Sequence, residues 1–230
     1  MVNPKIYILI STYKRPEYLP QCLDSLYDAQ EYGSNVKFIL MDDGSPDKET
    51  EEALNNCKLN KQVIIYKENM GLRNRIIDFF DIVRKDKPDY IGILGNDVIM
   101  PKDWLKIMLE VHNTTDVDIL SPNYLPSNPA FTLGQPDTDN KGYRRAYTVG
   151  VWLMKKEMID DLYFDRTDLR GIKGSIQIIH QIKVDKTPNI GFTTKVVGND
   201  IGHHSGLATE HIKSEEHREY SNEVGREVTW

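Results

Sequence analysis

Four short polar clusters interrupt the apolar segments near the start of this chain: Ser11-Thr12-Tyr13, Asp42-Asp43-Gly44-Ser45, Asn69-Met70-Gly71 and Gly95-Asn96-Asp97. Their chemistries fit together. A carboxylate accepts from a base N–H or a ribose hydroxyl, and a tyrosine ring stacks on a base. A hard carboxylate oxygen suits a divalent cation that also holds a phosphate. Asp97 is the carboxylate read here as holding the cation, because carboxylates alone would repel a diphosphate. Gly-Asn-Asp is also an ordinary exit from a strand into a turn. The tripeptide therefore acquires meaning only beside the other three clusters.

Each cluster follows a segment built like a buried strand. Residues 5–10, 36–41, 63–66 and 90–94 are short runs rich in apolar and β-branched side chains. Between them lie helical patterns. Leu19, Cys22, Leu23, Leu26 and Tyr27 recur at i, i+3, i+4, i+7 and i+8, and Leu72, Ile76, Ile77, Phe80 and Val83 mark one face of another helix. A helix is expected over residues 47–56, and one after Pro101 carries Trp104, Ile107, Met108 and Val111. Alternating strands and helices predict parallel strands with crossover helices. In such a sheet the carboxyl ends of the strands converge on one crevice.

The pattern loosens after Asp116. Residues 117–120 suggest a strand, and residues 121–139 read as a long loop with four prolines, Pro122, Pro126, Pro129 and Pro136. A loop of that length in a compact domain is more often functional than idle. Strand-like composition returns over 143–154, a short helix is expected over 155–162, and 163–165 is a loop. Another helix is expected over 172–184, a last strand over 190–197, and a charged helical tail from Thr209.

Composition removes several function classes. With 29 Lys and Arg against 35 Asp and Glu, the formal charge is −6, which argues against general duplex binding. No Gly-x-Gly-x-x-Gly follows the first strand and no P-loop is present. The two cysteines, Cys22 and Cys57, lack metal-type spacing and read as reduced thiols. No apolar stretch approaches the roughly 18 residues of a membrane span, and the N-terminal apolar run is too short for a signal peptide core. A soluble, cytoplasmic protein is expected.

The segments Ile8-Leu-Ile-Ser-Thr-Tyr-Lys-Arg-Pro-Glu-Tyr-Leu19, Met41-Asp-Asp-Gly-Ser45, Glu68-Asn-Met-Gly-Leu-Arg73 and Leu94-Gly-Asn-Asp-Val-Ile-Met-Pro101 resemble, in order, the motifs of family-2 glycosyltransferases of the GT-A fold. Gly150-Val-Trp-Leu-Met-Lys-Lys156 and Phe164-Asp165 are similar to the family's acceptor-side strand and the loop after it. The resemblance implies a mostly parallel α/β sheet flanked by helices, with a smaller acceptor-side β segment. It implies one domain over residues 1–206, of which 1–115 bind a nucleotide sugar and 116–206 an acceptor, and a helical tail over 207–230. Ser11, Thr12, Tyr13 and Arg15 would line the base and phosphate, and at least one of Asp42 and Asp43 would contact base or ribose. Gly71 and Arg73, with Arg75 as a further candidate, would reach ribose or pyrophosphate. Asn96 and Asp97 match the Asp-x-Asp metal motif in an Asn-Asp variant, for Mn²⁺ or Mg²⁺. His203 or His204 would complete the metal shell, either being suitable, unless the pair is an ordinary polar loop.

One departure from the family pattern concerns the general base. Inverting members carry a carboxylate pair after the Phe-Asp loop, whereas here the stretch reads Gly171-Ile-Lys-Gly-Ser-Ile-Gln-Ile-Ile-His180. Asp165 or Asp168 can serve instead, or the enzyme retains configuration and the departing phosphate takes the proton. His180 is a third candidate. Tyr124, Phe131 and Tyr143 can offer stacking rings to an acceptor. Lys141, Arg144 and Arg145 form a small basic patch or a solvated strand edge. Lys213 or Arg218 in the tail can reach phosphate, or the tail is a solvated helix. The expected acceptor is a saccharide or small molecule. Alternatives are a modified base of nucleic acid, and a nucleotide-sugar-binding protein without catalysis.

Overall fold

Four parallel strands organise the first half of the chain: β1 (Ile6–Thr12), β2 (Val36–Asp42), β3 (Lys61–Ile65) and β4 (Tyr90–Leu94), side by side in the order β3-β2-β1-β4. The computed structural model describes residues 3–28, 35–125, 143–145, 152–160 and 188–200. Helices α1 (Leu19–Asp28), α2 (Lys48–Asn56) and α3 (Leu72–Asp86) make the crossovers. The alternation of side chains along a strand divides the core in two. Ile6, Ile8 and Ile10 of β1 pack with Leu19, Leu23 and Leu26 of α1 and Leu54 of α2. Tyr7 and Leu9 face the other way, against Ile76, Phe79, Phe80 and Val83 of α3. Each aliphatic side chain buried this fully contributes roughly 1.5–3 kcal/mol before entropy is set against it.

The chain runs from β1 outward through β2 to β3, then returns to place β4 on the opposite flank of β1. That reversal opens a crevice at the carboxyl ends of β1 and β4, the usual ligand position in open α/β sheets. Loop chemistry supports the crossovers. Asp47 caps α2 by accepting from the Thr50 N–H at 2.8 Å, and α3 ends in a left-handed Lys87 at φ 49°.

Beyond β4 the sheet becomes mixed. A two-residue strand β5 (Val98–Ile99) precedes α4 (Trp104–Thr114), followed by β6 (Ile119–Leu125), β7 (Tyr143–Arg145), β8 (Trp152–Lys155) and β9 (Ile190–Asp200). The order continues β4-β8-β6-β9-β5, with β7 also on β9. β8 runs antiparallel to both neighbours, and β9 is parallel to β6 but antiparallel to β5 and β7. Trp152, Met154, Ile159 and Ile190 extend the core on the α3 side.

Several local expectations change. Residues 121–125, expected to open the proline-rich loop, continue β6. Pro122 has no N–H to offer the ladder, and the β6–β9 register shifts between Ser121 and Asn123, so the strand carries the proline at an irregularity. Of the strand expected over 143–154, the described residues form β7 and β8, and residues 146–151 lie outside them. Of the helix expected over 155–162, the described residues show a single 3₁₀ turn at Lys156–Met158. The last strand extends past 197 to Asp200 because its end pairs with β5. Residues 126–142, 161–187 and 201–230 lie outside the described residues, and with them the expected helix over 172–184 and the tail. Among the described residues, no helix is long and apolar enough to cross a membrane.

Candidate functional site

The loop after β1 is fixed at its backbone and open at its side chains. The Asp43 N–H donates to the Thr12 carbonyl at 2.9 Å, and the Lys14 N–H, from a left-handed residue at φ 50°, donates to Ser45 Oγ at 2.9 Å. The Tyr18 and Leu19 N–H groups donate to the Arg15 carbonyl, both at 3.3 Å, starting α1. Arg15 is thus anchored through its main chain while its guanidinium turns into the crevice and pairs with the Asp97 carboxylate through Nη1 and Oδ2. Beside them Asn96 Nδ2 donates to Thr12 Oγ1 at 2.8 Å, tying the end of β1 to the loop after β4. Ser11 and Tyr13 are half-buried at the same end of β1.

Asp42 ends β2, Asp43 follows it, and both are buried. Asp42 accepts from the Ser45 N–H at 3.1 and 3.2 Å and from the Ser45 hydroxyl. Burial raises its carboxyl above the ordinary 3.8. The Ser45 hydrogen bonds oppose that rise, and the nearby charges of Asp47 and Asp43 add to it. Gly44 is required here: it sits at φ +78°, and a Cβ would lie 2.7 Å from the Glu68 carbonyl carbon. The loops after β2 and β3 touch at that point.

Asp43 fixes the loop after β3. Its Oδ1 accepts from the Met70 N–H at 3.0 Å and its Oδ2 from the Gly71 N–H at 2.7 Å, and Arg75 Nε lies 2.9 Å from Oδ1. The Arg75 guanidinium stacks 3.3 Å from the centre of the Tyr66 ring and bonds Asp78, which also accepts from the Tyr66 hydroxyl. Arg75, expected as a further candidate for ribose or pyrophosphate, instead turns inward to this network. Gly71 opens α3, and Arg73 is buried in its first turn.

The structure therefore brings Thr12, Arg15, Asn96 and Asp97 together at the β1–β4 crevice and Asp42, Asp43 and Gly71 beside them. Asp165, Asp168, His203 and His204 lie outside the described residues. Among the described residues, no three His, Cys, Asp or Glu side chains are grouped to hold a metal. A cation of the Mg²⁺ type commonly uses one or two carboxylates and takes its other ligands from substrate phosphates and water, and Asp97 fits that donor set. Its side chain keeps 14% exposure. The space it occupies exists because position 95 is glycine: a Cβ there would stand 2.9 Å from Asp97 Oδ1. Sequence reasoning overlooked this role of Gly95, the bridging hydroxyl of Ser45 and the inward turn of Arg75. The last had a legible signal, an Asp three residues on at position 78 of an amphipathic helix.

The family model Glycosyl transferase family 2 matches residues 7–179. The abequosyltransferase RfbV of Salmonella typhimurium is 30% identical over 115 residues, 50% of this chain and 34% of that protein. A mannosyltransferase from Pyrobaculum calidifontis, solved in complex with GDP-Man and Mn²⁺, superposes with a TM-score of 0.66 at 15% identity over 98% of this chain and 65% of its own. TarS residues 1–349 from S. aureus superpose with a TM-score of 0.60 at 16% identity over 94% of this chain and 68% of their own. This chain thus spans about a third of the length of the abequosyltransferase. The superpositions bear out the expected GT-A architecture, a mixed sheet flanked by helices.

Proposed function

Since this chain belongs to glycosyl transferase family 2, we propose that it moves a glycosyl group from a nucleoside-diphosphate sugar to an acceptor hydroxyl, with Asp97 holding a divalent cation. The observation that carries this reading is the convergence of Arg15, Asn96 and Asp97 at the β1–β4 crevice. The mannosyltransferase solved with GDP-Man and Mn²⁺ supports it by sharing the fold. Residues 1–115 form the donor half and residues 116–206 the acceptor half. The acceptor is a saccharide or small molecule, and the reaction takes place in the cytoplasm.

In the reaction the bond from the sugar's anomeric carbon to the diphosphate breaks and a bond to the acceptor oxygen forms. The nucleoside diphosphate leaves with the electron pair. Bound Mn²⁺ or Mg²⁺ would supply positive charge against the departing diphosphate. This chain's residues bind and orient. Ser11, Thr12 and Tyr13 line the base side, Asp42 and the loop fixed by Asp43 hold the nucleoside, and Gly71 and Arg73 edge toward the ribose and diphosphate. His203 or His204 would add a ligand to that cation. Asp165 or Asp168 takes the acceptor's proton, or the departing phosphate does in a retaining reaction.

A thermal-shift panel of UDP-, GDP-, dTDP- and CMP-sugars with Mn²⁺ tests the donor assignment. One nucleotide class should stabilise the protein clearly, by about 2.7 kcal/mol at a hundred times its dissociation constant. No shift with any donor would overturn the reading.

A further inference from the structure

Asp97 faces a cation already, and it is part of the chain. Arg15 occupies Oδ2 of the only carboxylate in the Gly95-Asn96-Asp97 turn, at the mouth of the crevice rather than in the core: its side chain is 30% exposed and that of Asp97 14%. Its main chain is held at both sides, by Lys14 to Ser45 and by Tyr18 and Leu19 to its own carbonyl. The guanidinium can therefore change partners without moving the loop. A divalent ion on the same carboxylate would repel a guanidinium left beside it, whereas a diphosphate arriving with the ion offers a second partner matched to a planar, bidentate donor.

We propose that Arg15 is the counterion of Asp97 in the empty crevice and a ligand of the diphosphate in the loaded one. This rests on the reading of Asp97 as the metal-holding residue. The exchange couples the two ligands. Metal alone must displace Arg15 from the carboxylate and leave it without a partner, so it binds weakly. Diphosphate alone must draw Arg15 away and set a negative ligand beside the Asp97 carboxylate without that counterion. Together each removes the other's obstacle, and by linkage each tightens the other by the same factor. The crevice would thus accept the metal–diphosphate unit in preference to either component.

The test uses the full chain and two probes, Mn²⁺ and inorganic pyrophosphate, which needs no choice of base or sugar. Mn²⁺ binding is followed through the electron paramagnetic resonance signal of the free ion, first without any phosphate. Pyrophosphate binding to the Mn²⁺-saturated protein is then measured by calorimetry. Arg15→Gln should bind Mn²⁺ alone about three- to fivefold more tightly, the size expected when a partly exposed ion pair no longer competes. The same variant should bind pyrophosphate about tenfold more weakly, as loss of a charge-assisted contact predicts. Arg15→Lys keeps the charge and should leave Mn²⁺ affinity close to that of the wild type. Equal or weaker Mn²⁺ binding by Arg15→Gln would overturn the exchange. Asp97→Asn separates the premise from the inference: it should abolish Mn²⁺ binding. Undiminished binding in that variant would overturn the metal assignment and the exchange with it. Lost binding in Asp97→Asn with no gain in Arg15→Gln would overturn the exchange alone.

Discussion

Two arginine–aspartate pairs border the crevice, and they are built for different purposes. Arg75 and Asp43 are each 4% exposed, and Asp43 also holds the Met70 and Gly71 N–H groups while Arg75 stacks on Tyr66. Both oxygens of that carboxylate are committed to the protein. Arg15 and Asp97 meet at 30% and 14% exposure. The first pair fixes the shape of a loop, and the second leaves charge where a ligand can reach it. Chemical type is the same in both. Burial is what separates the two pairs.

Substitutions can break this contrast. Asp97→Asn should lower transferase activity by about a hundred- to a thousandfold, as removal of a group stabilising a departing charge does, while unfolding stays within about 1 kcal/mol of wild type. Loss of fold in that variant would make Asp97 structural like Asp43. Asp43→Ala should instead destabilise the protein by about 3–5 kcal/mol, the cost of stripping one partner from a buried ion pair, measured by denaturant unfolding. Wild-type stability in Asp43→Ala would remove the distinction from the other side. A double-mutant cycle on stability should give a coupling of about 1.5–3 kcal/mol for Asp43 with Arg75 and less than about 1 kcal/mol for Asp97 with Arg15.

A smaller effect sharpens the picture at the neighbouring carboxylate. Asp42 has its pKa raised in the fold, chiefly by burial. The native state therefore binds this proton more tightly than the unfolded chain, and the resulting stability is fully present below the ordinary 3.8 and is lost as pH rises through the raised value. Stability of wild type relative to Asp42→Asn should fall over that interval and then level off. A difference independent of pH would mean that the Ser45 hydrogen bonds cancel the desolvation.

Much of this arrangement was legible in the residues because it is written locally. β1, β2 and β4 are apolar runs ending in polar clusters, and α1 and α3 repeat with helical spacing. The convergence of the clusters follows from the parallel topology those patterns imply. What was hidden depends on distant partners. Val98–Ile99 is too short for any periodicity and is a strand only because β9 lies beside it. Pro122 argues for a loop until β9 supplies a register in which its missing N–H does no harm. The inward turn of Arg75 depends on Asp43 and Tyr66, 32 and nine positions away, whose meeting requires β2 and β3 to pair first.

The pairing of β5 with the end of β9 also bears on how the protein is made. Val98 lies opposite Asp200, so the segment immediately after Asp97 waits for about a hundred further residues before its neighbour exists. On the ribosome, β1 to β3 can pair early, since Ile6 lies opposite Val36 and Phe38 opposite Lys61, whereas the pairing of Ile6 with Tyr90 and that of β5 with β9 close long loops and come later. A nascent chain would hold β4 and the Asp97 turn for several seconds, at about 5–20 residues per second, before the strand that pairs with β5 arrives.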